Sequence, residues 1–91
     1  MFAQALVELI GTFVFLSVII ASKGNPIAVG VALTAVLFMI GATSGGHVNP
    51  AISFMTVLDG KMSLSTAGVY ILAQLIGAAA ALGFGKYVLA H

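Results

Sequence analysis

Apolar residues follow one another in three long runs along this chain, and each run is long enough to cross a membrane. The runs cover about residues 5–22, 26–43 and 64–89. An α-helix rises about 1.5 Å per residue and the hydrocarbon core of a bilayer is about 30 Å thick, so these runs predict three transmembrane helices. Pro26 stands at the first position of the second helix, where proline is favoured, directly after a short polar turn.

A polar, glycine-rich break lies between the second and third runs. The sequence SGGHVNP occupies residues 44–50 and leads into a short apolar stretch that ends at Leu58. A helix over residues 50–58 would be about 14 Å long, about half the hydrocarbon thickness. Irregular backbone at membrane depth persists only where protein or a water-filled cavity satisfies its polar groups. Residues 44–58 therefore predict a re-entrant loop and half-helix that line a pore, with a second half-helix meeting them from the other side.

The composition indicates lipid as the main solvent of this chain. Its 91 residues are 62% hydrophobic and 5% charged, too few charges to cover a soluble domain. We expect a single unit over residues 1–91, an all-α integral membrane protein with three spans and one half-helix, in a membrane that the sequence does not identify. The net charge of +1 offers no basic patch for nucleic acid. No nucleophile–base pair or metal-ligand cluster is visible, so we expect neither an enzyme nor a bound cofactor or metal.

Two polar side chains fall inside the predicted spans, Glu8 in the first and Gln74 in the third. A carboxylate in hydrocarbon costs several kcal/mol unless it is paired, so Glu8 is expected to face the interior of the bundle. It could relay protons or bind cations, or it could accept hydrogen bonds from the backbone of the re-entrant loop. Loop support is the preferred interpretation for both residues, because the loop needs partners for its N–H groups.

His47 lies in the loop itself, and its role has several interpretations. No Cys, Asp or Glu cluster accompanies it, so a metal site is not expected. An imidazole titrates near neutral pH, which allows a pore-lining or pH-sensing role. A structural role in holding the loop is preferred over a sensor.

Asn49 carries a more specific signal than the other polar residues. It precedes Pro50 and is expected to cap the half-helix, with its side-chain oxygen accepting a backbone N–H. The amide NH2 would then point into the lumen, beside the positive end of the helix dipole. Hydrogen-bond donors and positive potential at mid-membrane favour neutral acceptors and repel cations and protons.

Three motifs together resemble the major intrinsic protein family, the aquaporins and glycerol facilitators. Residues 8–13 (ELIGTF) are similar to the first helix of the family, residues 44–51 (SGGHVNPA) to its first Asn-Pro-Ala loop, and residues 70–78 (YILAQLIGA) to its third helix. Family members consist of two inverted three-span repeats whose Asn-Pro-Ala tips meet in mid-membrane. The resemblance implies that Asn49 is a pore donor, that Pro50 and Ala51 form the tip contact, and that Glu8 and Gln74 support the loop.

The chain departs from the family pattern in covering its first repeat alone. The arginine that follows the second Asn-Pro-Ala of the family is missing, and Ile52 follows Ala51 here. If two copies pair in inverted orientation, aliphatic or bare residues lie near the pore mouths instead of an aromatic and arginine filter. These residues are Val29, Leu37, Gly46 and Ile52, and His47 is a further candidate for the pore lining.

The sequence thus predicts a passive channel for water or small neutral solutes such as glycerol, formed by an antiparallel homodimer. A tetramer of such pores is a further option. Lys61 with Asp59 on one membrane face nearly balances Lys23 and Lys86 on the other, which predicts insertion in both orientations. Two alternatives stay open: a pore shared with a different half that supplies the arginine, and a non-conducting protein of membrane structure or assembly.

Overall fold

The computed structural model describes residues 1–89 and is helical throughout its regular elements. Three of its helices are long and apolar enough to cross a membrane, and a fourth is a half-helix. The predicted fold class is therefore confirmed. The elements are α1 (Phe2–Ala21), α2 (Pro26–Ser44), α3 (Pro50–Leu58) and α4 (Leu64–Phe84), which continues as a π-helical turn, Gly85–Leu89.

The start of α2 agrees with the prediction, and the start of α1 does not. Pro26 opens α2 as predicted, and the Asn25 side chain caps it by accepting from the N–H groups of Ile27 and Ala28, at 3.0 and 3.1 Å. The prediction for the first span was wrong in its start, since α1 begins at Phe2 rather than near Ala5. The residues before Ala5 contain no glycine or proline that would break a helix, so α1 extends in the N-terminal direction to Phe2.

The half-helix α3 covers the predicted residues, Pro50–Leu58. Asn49 is its N-cap and accepts a hydrogen bond from the N–H of Ala51 at 2.9 Å. Beyond Leu58 the chain turns at Asp59 and at Gly60, whose φ of 74° is in the left-handed region that glycine adopts without cost. The residues that begin and end the half-helix are its immediate neighbours in the sequence, so both of its bounds could be predicted from the sequence.

Small residues on one face of α4 allow it to pack closely on α1. Ala73, Gly77 and Ala81 are buried and recur every fourth residue. A Cβ at Gly77 would lie 2.5 Å from the carbonyl oxygen of Leu9, so no larger residue fits without moving the two helices apart. Close approach of this kind is how helices associate in lipid, where apolar surface alone gives no driving force between helices.

The last span differs from the predicted continuous helix over residues 64–89. Its final turn, Gly85–Leu89, is π-helical. Gly85 is buried there against Ile20 of α1, and a Cβ on Gly85 would lie 2.8 Å from Cγ2 of Ile20. The widened turn therefore begins at the point where the backbone of Gly85 packs against the Ile20 side chain.

Helix α1 lies at the centre of the fold, because it packs against both α4 and α2. The small core between α1, α2 and the loop contains Val36, Ile40 and Val48, all buried. Val48 belongs to the loop, so this core attaches the loop to two spans.

Candidate functional site

Glu8 is the centre of the loop's attachment to the bundle. Its side chain is 0% exposed and accepts four hydrogen bonds. Oε2 accepts from the Ser44 hydroxyl at 2.6 Å and from the His47 N–H at 3.0 Å. Oε1 accepts from the Val48 N–H at 2.8 Å and from Nε2 of Gln74 at 3.0 Å. A carboxylate has about four acceptor positions, so all of its capacity is used by the protein.

The loop backbone adopts an unusual conformation to reach this carboxylate. Gly45, Gly46 and Val48 have φ values of 89°, 65° and 45°. For the β-branched Val48, a positive φ is a true outlier that costs about 1–3 kcal/mol. Its N–H bond to Glu8 and its burial in the core maintain that conformation.

Because the N–H groups of His47 and Val48 point to the carboxylate, the carbonyls of the same two peptide units point away from it. These are the carbonyls of Gly46 and His47. No donor among residues 1–89 contacts either of them. The loop therefore has two faces, one of N–H groups bound to the bundle and one of carbonyl oxygens directed away from Glu8.

A second group of hydrogen bonds joins the half-helix to α4. Nε2 of Gln74 donates to Oγ of Ser53 at 3.1 Å as well as to Glu8. Oγ of Ser53 also lies 2.8 Å from Nδ1 of His47. The Tyr70 hydroxyl donates to the carbonyl of Ser44 at 2.7 Å. All four helices and the loop therefore share one connected polar network inside an apolar bundle.

His47 has its ring inside this network. The residue is 8% exposed, and its ring centroid lies 5.0 Å from that of Tyr70. The burial, the contact with Ser53 and the packing on Tyr70 favour the structural interpretation of this histidine. A role of its side chain in lining a pore stays a prediction.

The tip of the loop is exposed on the surface of the chain. Asn49, Pro50 and Ala51 are all exposed. Oδ1 of Asn49 is occupied by the cap bond, whereas its amide nitrogen contacts no acceptor in the described part of the chain. The tip therefore presents a free pair of N–H donors at the N-terminal end of α3.

Two of the residues predicted to lie near the pore mouths are in contact. Gly46 packs against Leu37, and a Cβ on Gly46 would lie 2.7 Å from Cδ2 of Leu37. Ile52 is exposed on α3, and Val29 is half-buried on α2. The single chain does not bring Val29 or Ile52 to the Leu37–Gly46 contact.

Sequence reasoning assigned no role to Ser53 or to the hydroxyl of Tyr70. Both carry a signal that could have identified them. Ser53 and Thr56 are the polar side chains in the half-helix, and Ser53 lies one turn after Asn49. Tyr70 lies one turn before Gln74, on the same face of α4.

A groove of about 220 Å³ lies beside the tip, between α1 and α4. Its walls include Thr12 of α1, Gln74 of α4 and the Asn49–Pro50 tip. The remaining lining residues are Phe15, Leu16, Val48, Leu75 and Ala78. The groove is therefore apolar except where these few polar residues reach it.

Comparison of the sequence with known proteins finds several that are similar to this chain. The chain is 37% identical over 81 residues to glycerol uptake facilitator protein-like 6 of Lactiplantibacillus plantarum, an alignment that covers 80% of the chain and 38% of that relative. It is 43% identical over 60 residues to the lens fiber major intrinsic protein of Gallus gallus, covering 66% of the chain and 23% of that relative. The chain thus spans well under half the length of these relatives.

A sequence profile of the major intrinsic protein family matches residues 4–91, which takes in all three spans, the loop and the half-helix. The three apolar helices and this match make the chain an integral, multi-pass membrane protein. It belongs to the major intrinsic protein family.

Proposed function

We propose that this chain forms half of a passive channel for water and small neutral solutes, and that two copies in inverted orientation complete the pore. The observation that carries the proposal is the hydrogen bonding of the Asn49 side chain. Its side-chain oxygen is engaged in capping the half-helix, so its two amide protons remain free at an exposed tip. A fixed, neutral donor at mid-membrane is suited to a solute that offers a hydrogen-bond acceptor.

The length of α3 supports pairing through this tip. A helix of 9 residues is about 14 Å long, so it reaches about half-way through the hydrocarbon core. A second copy related by a two-fold axis in the membrane plane would bring its own tip to the same depth. Such a contact is isologous, with Pro50 and Ala51 of each copy facing those of the other. Both half-helices would then present an Asn49 amide to a common path.

The charge distribution near the tip supports selection against ions. The N-terminal end of α3 carries about half a positive charge, and two such ends would meet at the midplane. The nearest carboxylate, Glu8, is fully buried and has all its acceptor positions occupied by protein donors. It therefore offers a passing cation no free ligand.

Osmotic swelling of liposomes tests this function. Vesicles that contain this chain alone should swell faster in a solute gradient than empty vesicles, because a homodimer would need no other subunit. The measurement is light scattering after rapid mixing, with water and glycerol gradients in separate experiments. Swelling no faster than that of empty vesicles, with the chain shown to be inserted, would contradict the homodimeric channel. Flux that appears only after adding a second, different half would instead support the heteromeric pore.

The solute preference should depend on the residue after the tip. Ile52 is exposed on α3 and stands where family members with a second repeat have arginine in that repeat. Losing hydrogen bonds in an apolar neck costs water more than it costs a solute with carbon surface. Ile52→Arg should therefore lower glycerol flux more than water flux, as measured by paired swelling assays.

Leu58→Arg is the matched control, because it adds the same charge to an exposed position of the same half-helix, about 9 Å further from the tip. It should change both fluxes little. Equal loss of water and glycerol flux in Ile52→Arg would show that the constriction lies elsewhere.

A further inference from the structure

Two buried polar atoms beside the Glu8 network lack hydrogen-bond partners among residues 1–89. They are Oε1 of Gln74 and Oγ1 of Thr12, in residues that are 1% and 2% exposed. A buried acceptor or donor left unpaired is costly, so such atoms usually have partners. One of these atoms is an acceptor and the other carries a donor proton.

The two side chains are neighbours across the α1–α4 contact. Gly77 lies about one turn after Gln74, and a Cβ on Gly77 would lie 3.1 Å from Cβ of Thr12. Thr12 and Gln74 also line the same groove of about 220 Å³. The Thr12 hydroxyl therefore has both a nearby acceptor and space in which to rotate.

Thr12 differs from two other helical threonines of this chain, Thr34 and Thr56. The hydroxyls of Thr34 and Thr56 each donate at 2.8 Å to the carbonyl one turn earlier in their own helix. The hydroxyl of Thr12 makes no such bond. In helices threonine populates two side-chain rotamers, so a rotation of the Thr12 hydroxyl toward α4 needs no change of backbone.

We infer that Thr12 is a positioning residue whose hydroxyl donates to Oε1 of Gln74 and fixes the orientation of that amide. In this orientation Nε2 of Gln74 faces Oε1 of Glu8 and Oγ of Ser53, the two acceptors that it contacts. A flipped amide would place its own oxygen against the Glu8 carboxylate, where no donor proton separates them. Thr12 thus acts through Gln74 on the carboxylate that holds the loop.

The side-chain resonances of Gln74 test this inference directly. The chain contains two glutamines, Gln4 and Gln74, so glutamine-selective ¹³C and ¹⁵N labelling gives two side-chain amide signals. Thr12→Val keeps the shape of the residue and removes its hydroxyl. It should shift the Gln74 amide carbon and raise the exchange rate of its NH2 protons roughly tenfold, about the effect of one hydrogen bond. The Gln4 signals should stay unchanged.

Thr12→Ser, which restores a hydroxyl, should return the Gln74 signals to their original positions. Thr34→Val makes the same substitution at an exposed threonine and should leave them unchanged. If Thr12→Val does not fold, Thr12→Ala removes the hydroxyl without branched bulk and is measured in its place. Unchanged Gln74 signals in a folded variant without the hydroxyl, or a shift that Thr12→Ser fails to reverse, would overturn the inference.

The consequence for transport rests on the proposed function. Swelling assays measure it independently of the Gln74 signals. If Thr12 positions the loop of a working channel, Thr12→Val should lower flux in swelling assays and Thr12→Ser should retain it. Altered Gln74 signals with no flux in any variant would uphold the positioning role and reject the channel. Gln74 signals that stay unchanged in Thr12→Val, together with strong flux, would uphold the channel and reject the positioning role.

Discussion

Glu8→Gln is expected to destabilise the folded chain by about 3 kcal/mol, through its effect on the loop. The amide has nearly the shape of the carboxylate but replaces one acceptor oxygen with a donor NH2 group. Whichever way it turns, the NH2 group faces a loop N–H, that of His47 or that of Val48, and the loop loses an acceptor. Relief of the cost of burying a charge offsets part of this loss. Unfolding in mixed micelles, followed by circular dichroism, measures the difference.

Asp59→Asn is the matched control, because it makes the same acid-to-amide change in an exposed ion pair. Asp59 and Lys61 lie 3.2 Å apart with side chains 61% and 76% exposed, so their interaction contributes little. Its free energy of unfolding should stay within about 0.5 kcal/mol of the original protein. If Glu8→Gln is no more destabilising than Asp59→Asn, then Glu8 does not anchor the loop.

Asn49→Ala is expected to abolish most of the solute flux while leaving the chain folded. The substitution removes the cap bond to Ala51, which costs about 0.5–2 kcal/mol of local stability. It also removes the free amide donors, and in a homodimer it removes them from both half-helices at once. Swelling assays on matched amounts of inserted protein measure the flux.

The chain supplies its own control in Asn25. This residue also precedes a proline and caps a helix, through bonds to Ile27 and Ala28, but it lies in the turn before α2. Asn25→Ala should therefore produce a similar loss of cap energy with flux retained. Unchanged permeability in a folded Asn49→Ala variant, or equal loss in both variants, would mean that the Asn49 amide does not act in a pore.

Elements with local start and stop signals were predictable from the sequence. The half-helix is the clearest example, since Asn49-Pro50 begins it and Asp59-Gly60 ends it within a few residues. The start of α1 could not be predicted in this way, because its N-cap is Met1, which makes no side-chain cap bond. The π-helical turn at Gly85 was also beyond reach, because it accompanies contact with Ile20, which is distant in the sequence.

The candidate site likewise contains residues whose role could be predicted from the sequence and residues whose role could not. A carboxylate and an amide within apolar spans demand polar partners, so Glu8 and Gln74 could be linked to the loop on energetic grounds alone. The contribution of Ser53 depends on how α3 is rotated against α4, and that of Tyr70 on how α4 lies against the end of α2. Their positions on the helices make them candidates, but the sequence does not specify either arrangement. The packing of Leu37 on Gly46 likewise depends on how the loop folds back on α2.

The contacts of α3 have a consequence for the order in which the chain assembles during synthesis. Among the helices of residues 1–89, α3 packs against α4 alone. The bonds that bring α4 to the rest of the network join residues 26 and 66 positions apart, Ser44 with Tyr70 and Glu8 with Gln74. The half-helix therefore leaves the ribosome before α4, the helix against which it packs. We expect α3 to reach its packed position only after α4 has entered the bilayer.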